Sequence, residues 1–257
     1  MAKLIFLGTS GAVGSKERDN TSFLIQNKKE LILVDTPGSL VSKLDKINID
    51  FRKIKNIIIT HSHPDHLYGI VSLIHSQYKI KNKIHIYALG KVIKLIKILQ
   101  KIFSLKDKRL YPELVFHLLK RKKQPFYKSG SLSIFFFKTK HSQDSIGLKI
   151  LFKDKVLVIS GDSPFDENII KEAKNSNFLI HDCFAPQKFF KKYPLLNQKH
   201  TSSLNLGKIA YLSKTKNLIP IHFSGELKYD FRTIIKEIRK NYSGKVIIPS
   251  DLTALKL

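Results

Sequence analysis

The 257-residue chain has no tryptophan, one cysteine and few acidic residues, 20 Asp and Glu against 46 Lys and Arg. A lone cysteine excludes an internal disulfide and a Cys-rich metal cage, and such cysteine usage reads as cytoplasmic. Cys183 lies in the apolar run 178–184, where a buried small side chain is expected rather than a nucleophile. Long apolar runs are missing as well. No stretch approaches the ~20 residues that cross a bilayer. The apolar start breaks at Gly8, too soon for a secretory h-region. No membrane partner is expected. Apolar content of 42% is ordinary for a globular chain, and the length fits one domain over residues 1–257.

The shortage of acid leaves a formal charge of +26, a balance that points to a polyanionic partner, nucleic acid above all. Arginine, the usual choice for bidentate phosphate recognition, occurs only at positions 18, 52, 109, 121, 232 and 239. Lysine in excess, with little alanine, is also what an AT-rich coding sequence yields, so both explanations stay open. The charge is uneven. Lys79 to Lys128 holds 15 basic residues against Asp107 and Glu113. Within it, Lys91 to Leu105 reads as a helix, because Val92, Leu95, Ile96, Leu99, Ile102 and Phe103 recur at helical spacing between lysines. Lys120, Arg121, Lys122 and Lys123 precede Pro125 as a basic loop suited to drawing in anionic substrates.

What is abundant is imidazole in one place. His61, His63, Asp65 and His66 fall within six residues, straight after the β-rich run Ile57, Ile58, Ile59, Thr60. Such side chains are rarely buried unless partnered. Leaving a strand, His61 and His63 point the same way, because side chains repeat every second residue. If Asp65 and His66 begin a helix, they turn back toward a neighbouring point, and one segment can feed two adjacent metal ions. Two ions need more ligands, ideally with a shared carboxylate. Three candidates each follow a strand-like run: His141, Asp162 and His222. Taken singly, these read equally as a loop histidine, a helix cap before Ser163 and Pro164, and a core histidine.

These motifs resemble the metallo-β-lactamase superfamily, whose signature is H-x-H-x-D-H followed by separate His, Asp and His motifs. Phe6 to Gly11, Asn20 to Ser22, His200 to Ser202 and Ile219 to Ser224 are similar to its phosphodiesterase branch, which includes ribonuclease Z and PhnP-type cyclic phosphodiesterases. The resemblance implies that His61, His63 and His141 hold one metal, that Asp65, His66 and His222 hold a second, and that Asp162 bridges them. It places Asp35 behind the ligands, orienting one of them; a turn aspartate before Pro37 and Gly38 is the other reading. It makes Asp65 and His200 the residues of catalysis, His200 as proton donor to the leaving group. The rival reading of His200 is an exposed surface histidine.

Imidazole with carboxylate suits zinc first, with manganese as an alternative. Two divalent ions generate hydroxide near neutral pH and oppose charge on phosphoryl oxygens. The expected activity is hydrolysis of phosphodiesters, with a small cyclic or nucleotide-like substrate. Alternatives are a ribonuclease of ribonuclease Z type, with RNA as partner, and a thioester or lactam hydrolase of the same fold. A homodimer is allowed for, and no substrate-binding residue is assigned. Two departures bear on this. The 21 positions from His141 to Asp162 leave no room for the tRNA-gripping arm of ribonuclease Z, and the N-terminal cysteine cluster of many PhnP-type enzymes is absent.

Strand-like runs occur at Lys3 to Leu7, Ser22 to Gln26, Glu30 to Val34, Asn56 to Thr60, Lys83 to Tyr87 and Leu132 to Phe137. Others are Gly147 to Phe152, Lys155 to Ser160, Phe178 to His181, Leu218 to Ile221 and Lys245 to Pro249. Helical patterns fall at Asp166 to Lys174, Ser203 to Leu212 and Asp230 to Lys240. So many strands exceed one sheet, so two packed sheets flanked by helices are expected; the resemblance implies the class α/β, a four-layer αββα sandwich of two mixed sheets of metallo-β-lactamase type. Gly8, Gly11 and Gly14 lack the lysine of a P-loop and read as a turn.

Overall fold

The computed structural model describes residues 2–120, 122, 124–227 and 229–257. Arg121 and Lys123 of the basic run lie outside the described residues. The chain divides into two compact units. One holds the residues up to Gly8, Asp19–Lys120 and Ser250–Leu257; the other holds Thr9–Arg18 and Arg121–Pro249.

The first unit runs β1 (Lys3–Gly8), β2 (Ser22–Asn27), β3 (Glu30–Val34), α1 (Leu40–Lys46), β4 (Asn56–Ile58), α2 (Pro64–Leu67) and α3 (Gly69–His75). It continues through β5 (Lys83–Ala88), α4 (Gly90–Ile102) and β6 (Glu113–Leu118). The second runs β7 (Tyr127–Ser129), β8 (Leu132–Lys138), β9 (Ile146–Phe152), β10 (Lys155–Ile159), α5 (Glu167–Glu172) and β11 (Phe178–Asp182). Then come α6 (Gln187–Lys192), α7 (Ser203–Ser213), β12 (Asn217–Ile221), α8 (Phe231–Ile238) and β13 (Lys245–Val246). Last, β14 (Ala254–Lys256) returns to the first sheet.

Each unit contains a seven-stranded mixed sheet. In the first, order β14-β1-β2-β3-β4-β5-β6, the β14 to β3 pairings are antiparallel and the β3 to β6 pairings parallel. In the second, β7 to β10 pair antiparallel and β10 to β13 parallel. Parallel neighbours need crossovers, and helices supply them. Runs such as Val156 to Ile159 are continuous in apolar residues, as fits parallel strands covered on both faces.

In the first unit Leu24, Leu33, Ile57, Ile84 and Ile86 pack with Leu44 of α1, Leu73 of α3 and Val92 and Ile96 of α4. In the second, Val158, Leu179 and Leu218 pack with Ile169, Leu206, Ile209, Ile234 and Ile238 of α5, α7 and α8. Each such side chain contributes about 1.5–3 kcal/mol on burial. Close packing of α7 on α8 requires Gly207, where a Cβ would sit 2.5 Å from the Ile238 carbonyl oxygen. Three polar caps start helices: Asp166, Ser202 and Asp230 each accept from a backbone N–H of the helix that follows.

All the expected strands are present, β3 with the expected bounds and the others with shifted ends. β4 stops at Ile58, two residues early, because Thr60 N–H turns to donate to a side chain instead of the ladder. β13 ends at Val246 rather than Pro249, although Ile247 N–H still donates to Leu218. The helix expected to Leu105 ends at Ile102: Ser104 turns left-handed, and Leu105 folds back to donate to Gln100 while remaining buried. Its apolar periodicity therefore outlasted the helix. The sequence reading lacked β6, β7 and β14, which are short or half-exposed and show little alternation. Between His141 and Asp162 lie only β9 and β10 and their tight turn. Among the described residues, no helix is long and apolar enough to cross a membrane.

Candidate metal centre

Ligands in open α/β sheets gather beyond the carboxyl ends of parallel strands. Asp35 follows β3, the early histidine cluster follows β4, Asp162 follows β10, Asp182 closes β11 and His222 follows β12. In the first unit, Pro64 at the first position of α2 fixes the helix start, so Asp65 and His66 do begin a helix. The His61 ring lies 4.6 Å from that of His63 and 4.2 Å from that of His66. His61, Asp65 and His66 are buried; His63 is exposed.

Asp35 is buried, with its backbone left-handed at φ 62°. Its carboxylate accepts from Thr60 N–H at 2.7 Å, from the Thr60 hydroxyl at 2.8 Å and from His66 Nδ1 at 2.7 Å. Burial pushes the Asp35 carboxyl pKa up, and His66 and Thr60 pull it back. Because the Thr60 hydroxyl donates to Asp35, it accepts from His61 Nδ1 at 3.1 Å. These bonds place both protons on Nδ1 and turn Nε2 of His61 and His66 into the acceptor nitrogen; His66 Nε2 lies 3.3 Å from Asp65 Oδ2.

In the second unit, Asp162 Oδ2 is 3.1 Å from His222 Nε2 and 3.8 Å from His141 Nε2. His141 Nδ1 donates to the Lys199 carbonyl at 2.7 Å, and burial lowers the His141 pKa. Asp162 caps no helix; that part falls to Asp166. His222 is left-handed at φ 61°, and a Cβ at Gly11 would lie 3.0 Å from its Cε1. Thus Gly11 is there to let the imidazole approach, and the glycine turn is part of the site's wall. His200 is not a surface residue: its Nδ1 donates to Asp182 Oδ2 at 2.8 Å, and its ring lies 5.1 Å from both His141 and His222. Phe184 stacks on it at 4.8 Å. Donor atoms of Asp182, His200 and His222 lie within 4.8 Å of one another.

All the residues singled out in the sequence therefore fall in one of two clusters, Asp35, His61, His63, Asp65 and His66 in the first unit and His141, Asp162, His200 and His222 in the second. Asp182 was missed. It carries the same signal as Asp162, an aspartate ending an apolar strand. Beside Phe184 opens a cavity of about 830 Å³ lined by Tyr193, Leu195, Leu196, Lys199 and Leu227.

The donor chemistry fits divalent metal ions. Metal-ligating histidines characteristically give Nδ1–H to a protein acceptor and present Nε2. His61, His66 and His141 do so, and carboxylates stand beside the Nε2 atoms of His66, His141 and His222. These donors stand on the architecture of the metallo-β-lactamase fold. More narrowly, the chain belongs to the family described as Anti-Pycsar protein Apyc1, whose sequence model matches residues 2–203. Ribonuclease Z of Archaeoglobus fulgidus is similar, 21% identical over 99% of this chain and 97% of its own. The metallo-β-lactamase fold protein YhfI of Bacillus subtilis superposes with a TM-score of 0.81 at 21% identity, covering 99% of this chain and 98% of its own. A diphosphatase from the PhnP family gives 0.74 at 17% identity over 100% and 98%.

Proposed function

We propose that the protein hydrolyses phosphodiesters, with a small cyclic or nucleotide-like substrate, using two divalent ions of which zinc suits the donors best. His61, His63 and His141 would hold one ion, Asp65, His66 and His222 the other, and Asp162 would be shared. When bound, such a pair supplies a hydroxide nucleophile at neutral pH and opposes charge on the phosphoryl oxygens. Asp35 and the Lys199 carbonyl keep His66 and His141 in the tautomer that ligates through Nε2. His200, its Nδ1 held by Asp182, is oriented to give the Nε2 proton to the departing oxygen. The observation that carries this reading is the set of Nδ1–H bonds that leaves Nε2 of the ligand histidines for metal.

The 830 Å³ cavity beside Phe184 is of a size that suits a small ligand. A second reading, RNA processing, draws on the similarity to ribonuclease Z; the short β9–β10 interval counts against an inserted tRNA-gripping arm. Turnover of bis(p-nitrophenyl) phosphate, compared with a thioester and a tRNA precursor, separates the activities, with metal content measured in parallel. His63→Ala should abolish hydrolysis and lower thermal stability. Undiminished turnover in metal-free buffer would overturn the reading.

A further inference from the structure

Helix α4 has two contrasting sides. Val92, Ile93 and Ile96 are buried in the core of the first unit. On the outer side, Ile98 and Ile102, one turn apart, are 44% and 65% exposed beside Lys94, Lys97 and Lys101. The helix contains no acidic residue. The acids that follow it in sequence are already engaged, Asp107 by Arg109 and Glu113 by Lys83 and Lys108. Lys94, Lys97, Lys101 and Lys106 make no ion pair among the described residues, and with Ile93 and Ile98 they line a shallow groove of about 440 Å³. Like charges at helical spacing repel one another, so this stripe is unfavourable to the isolated fold.

Such a stripe suits a polyanion, and the apolar residues within it decide which one. Single-stranded nucleic acid is held by planar side chains that stack on bases and by arginine forks. The outward apolar residues of α4 are isoleucines, and the helix has no arginine. Aliphatic tips set among lysines match the boundary between lipid headgroups and acyl chains. We propose that this face of α4 docks reversibly on an anionic phospholipid bilayer, with Lys94, Lys97, Lys101 and Lys106 on the headgroups and Ile98 and Ile102 at the acyl boundary.

Vesicle co-sedimentation tests this at about 0.1 M salt, using phosphatidylcholine alone and phosphatidylcholine with phosphatidylserine. The protein should partition onto the anionic vesicles only. Each lysine near such a surface is worth roughly fivefold in partitioning, so Lys94→Ala, Lys97→Ala and Lys101→Ala together should weaken binding about 100-fold. Removing equal charge at Lys174, Lys208 and Lys216 should change it little. Ile98→Ser with Ile102→Ser should weaken it about tenfold at unchanged charge. Circular dichroism melting and bis(p-nitrophenyl) phosphate turnover should match the parent protein in each variant. Equal losses from the two lysine sets, no loss from the isoleucine pair, or binding to polyuridylate that outcompetes the vesicles would overturn the proposal.

Discussion

Replacing Asp35 by Asn tests whether the carboxylate behind the early histidines sets their tautomers or only makes a turn. Asn is the right probe because position 35 is left-handed, a conformation Asn tolerates, and because it keeps the shape. Its amide oxygen can still accept from Thr60, but its NH₂ must then face His66 Nδ1, now 2.7 Å from a carboxylate oxygen. A donor there forces His66 to carry its proton on Nε2, the atom required for metal. Loss of a partner of this kind typically costs 10–100-fold in metal affinity, which is about 1.4–2.7 kcal/mol. The metal-free fold should suffer less. Losing a charge-assisted hydrogen bond costs about 1.5–3 kcal/mol, but removing a carboxylate whose pKa burial already raises recovers part of that. A net loss near 1 kcal/mol would lower Tm by about 2–4 °C. Chelator competition gives the affinity, and calorimetry of stripped protein gives Tm. Unchanged affinity alongside a metal-free Tm that falls by much more than this would refute the tautomer argument and leave Asp35 a turn residue.

Other consequences can be measured directly. Asp182→Asn should slow alkyl phosphodiesters about 100-fold while barely touching p-nitrophenyl esters, whose leaving group needs no proton; equal losses would remove His200 as donor. Gly11→Ala drives a methyl to 3.0 Å from His222 and should weaken metal binding with little change in metal-free Tm, both read by the same assays. Burial, aided by His85 beside His117, holds His117 and His181 below the ordinary imidazole pKa. The unfolded chain therefore takes up protons below about pH 6.5 that the folded chain refuses. Stability is complete above that pH and is lost as pH falls toward the folded values. Tm of stripped protein should drop from about pH 7 to 5, less steeply in His117→Gln; a flat profile would contradict it. Burial raises the Cys183 thiol pKa well above the usual range, so native protein should resist iodoacetamide at neutral pH and react only when unfolded.

Much of this was readable because local pattern and tertiary demand agree. The continuous runs at Ile57 to Ile59 and Val156 to Ile159 can only be buried strands, and polar residues at their ends have nowhere to go but a site. What stayed hidden depended on partners far along the chain. Nothing near Asp182 says that it meets His200, 18 positions later, and nothing near Gly11 says that His222 packs on it. β14 is three residues whose strand character comes entirely from pairing with β1. Leu105 misled in the opposite sense, satisfying the helical period from beyond the helix end. His200 looked like surface because the flanking Lys199 is indeed exposed, whereas the histidine itself turns inward under Phe184.

The pairing of β14 with β1 carries a practical consequence. Residues 254–256 are a narrow hem along the outer rim of β1, matching Lys256 to Lys3, Leu255 to Leu4 and Ala254 to Ile5. Trimming them would bare the amide row of a strand that is otherwise deep in the sheet, a ready template for strand addition from another copy. Affinity tags or fusions are therefore better carried on a generous spacer than by shortening this end.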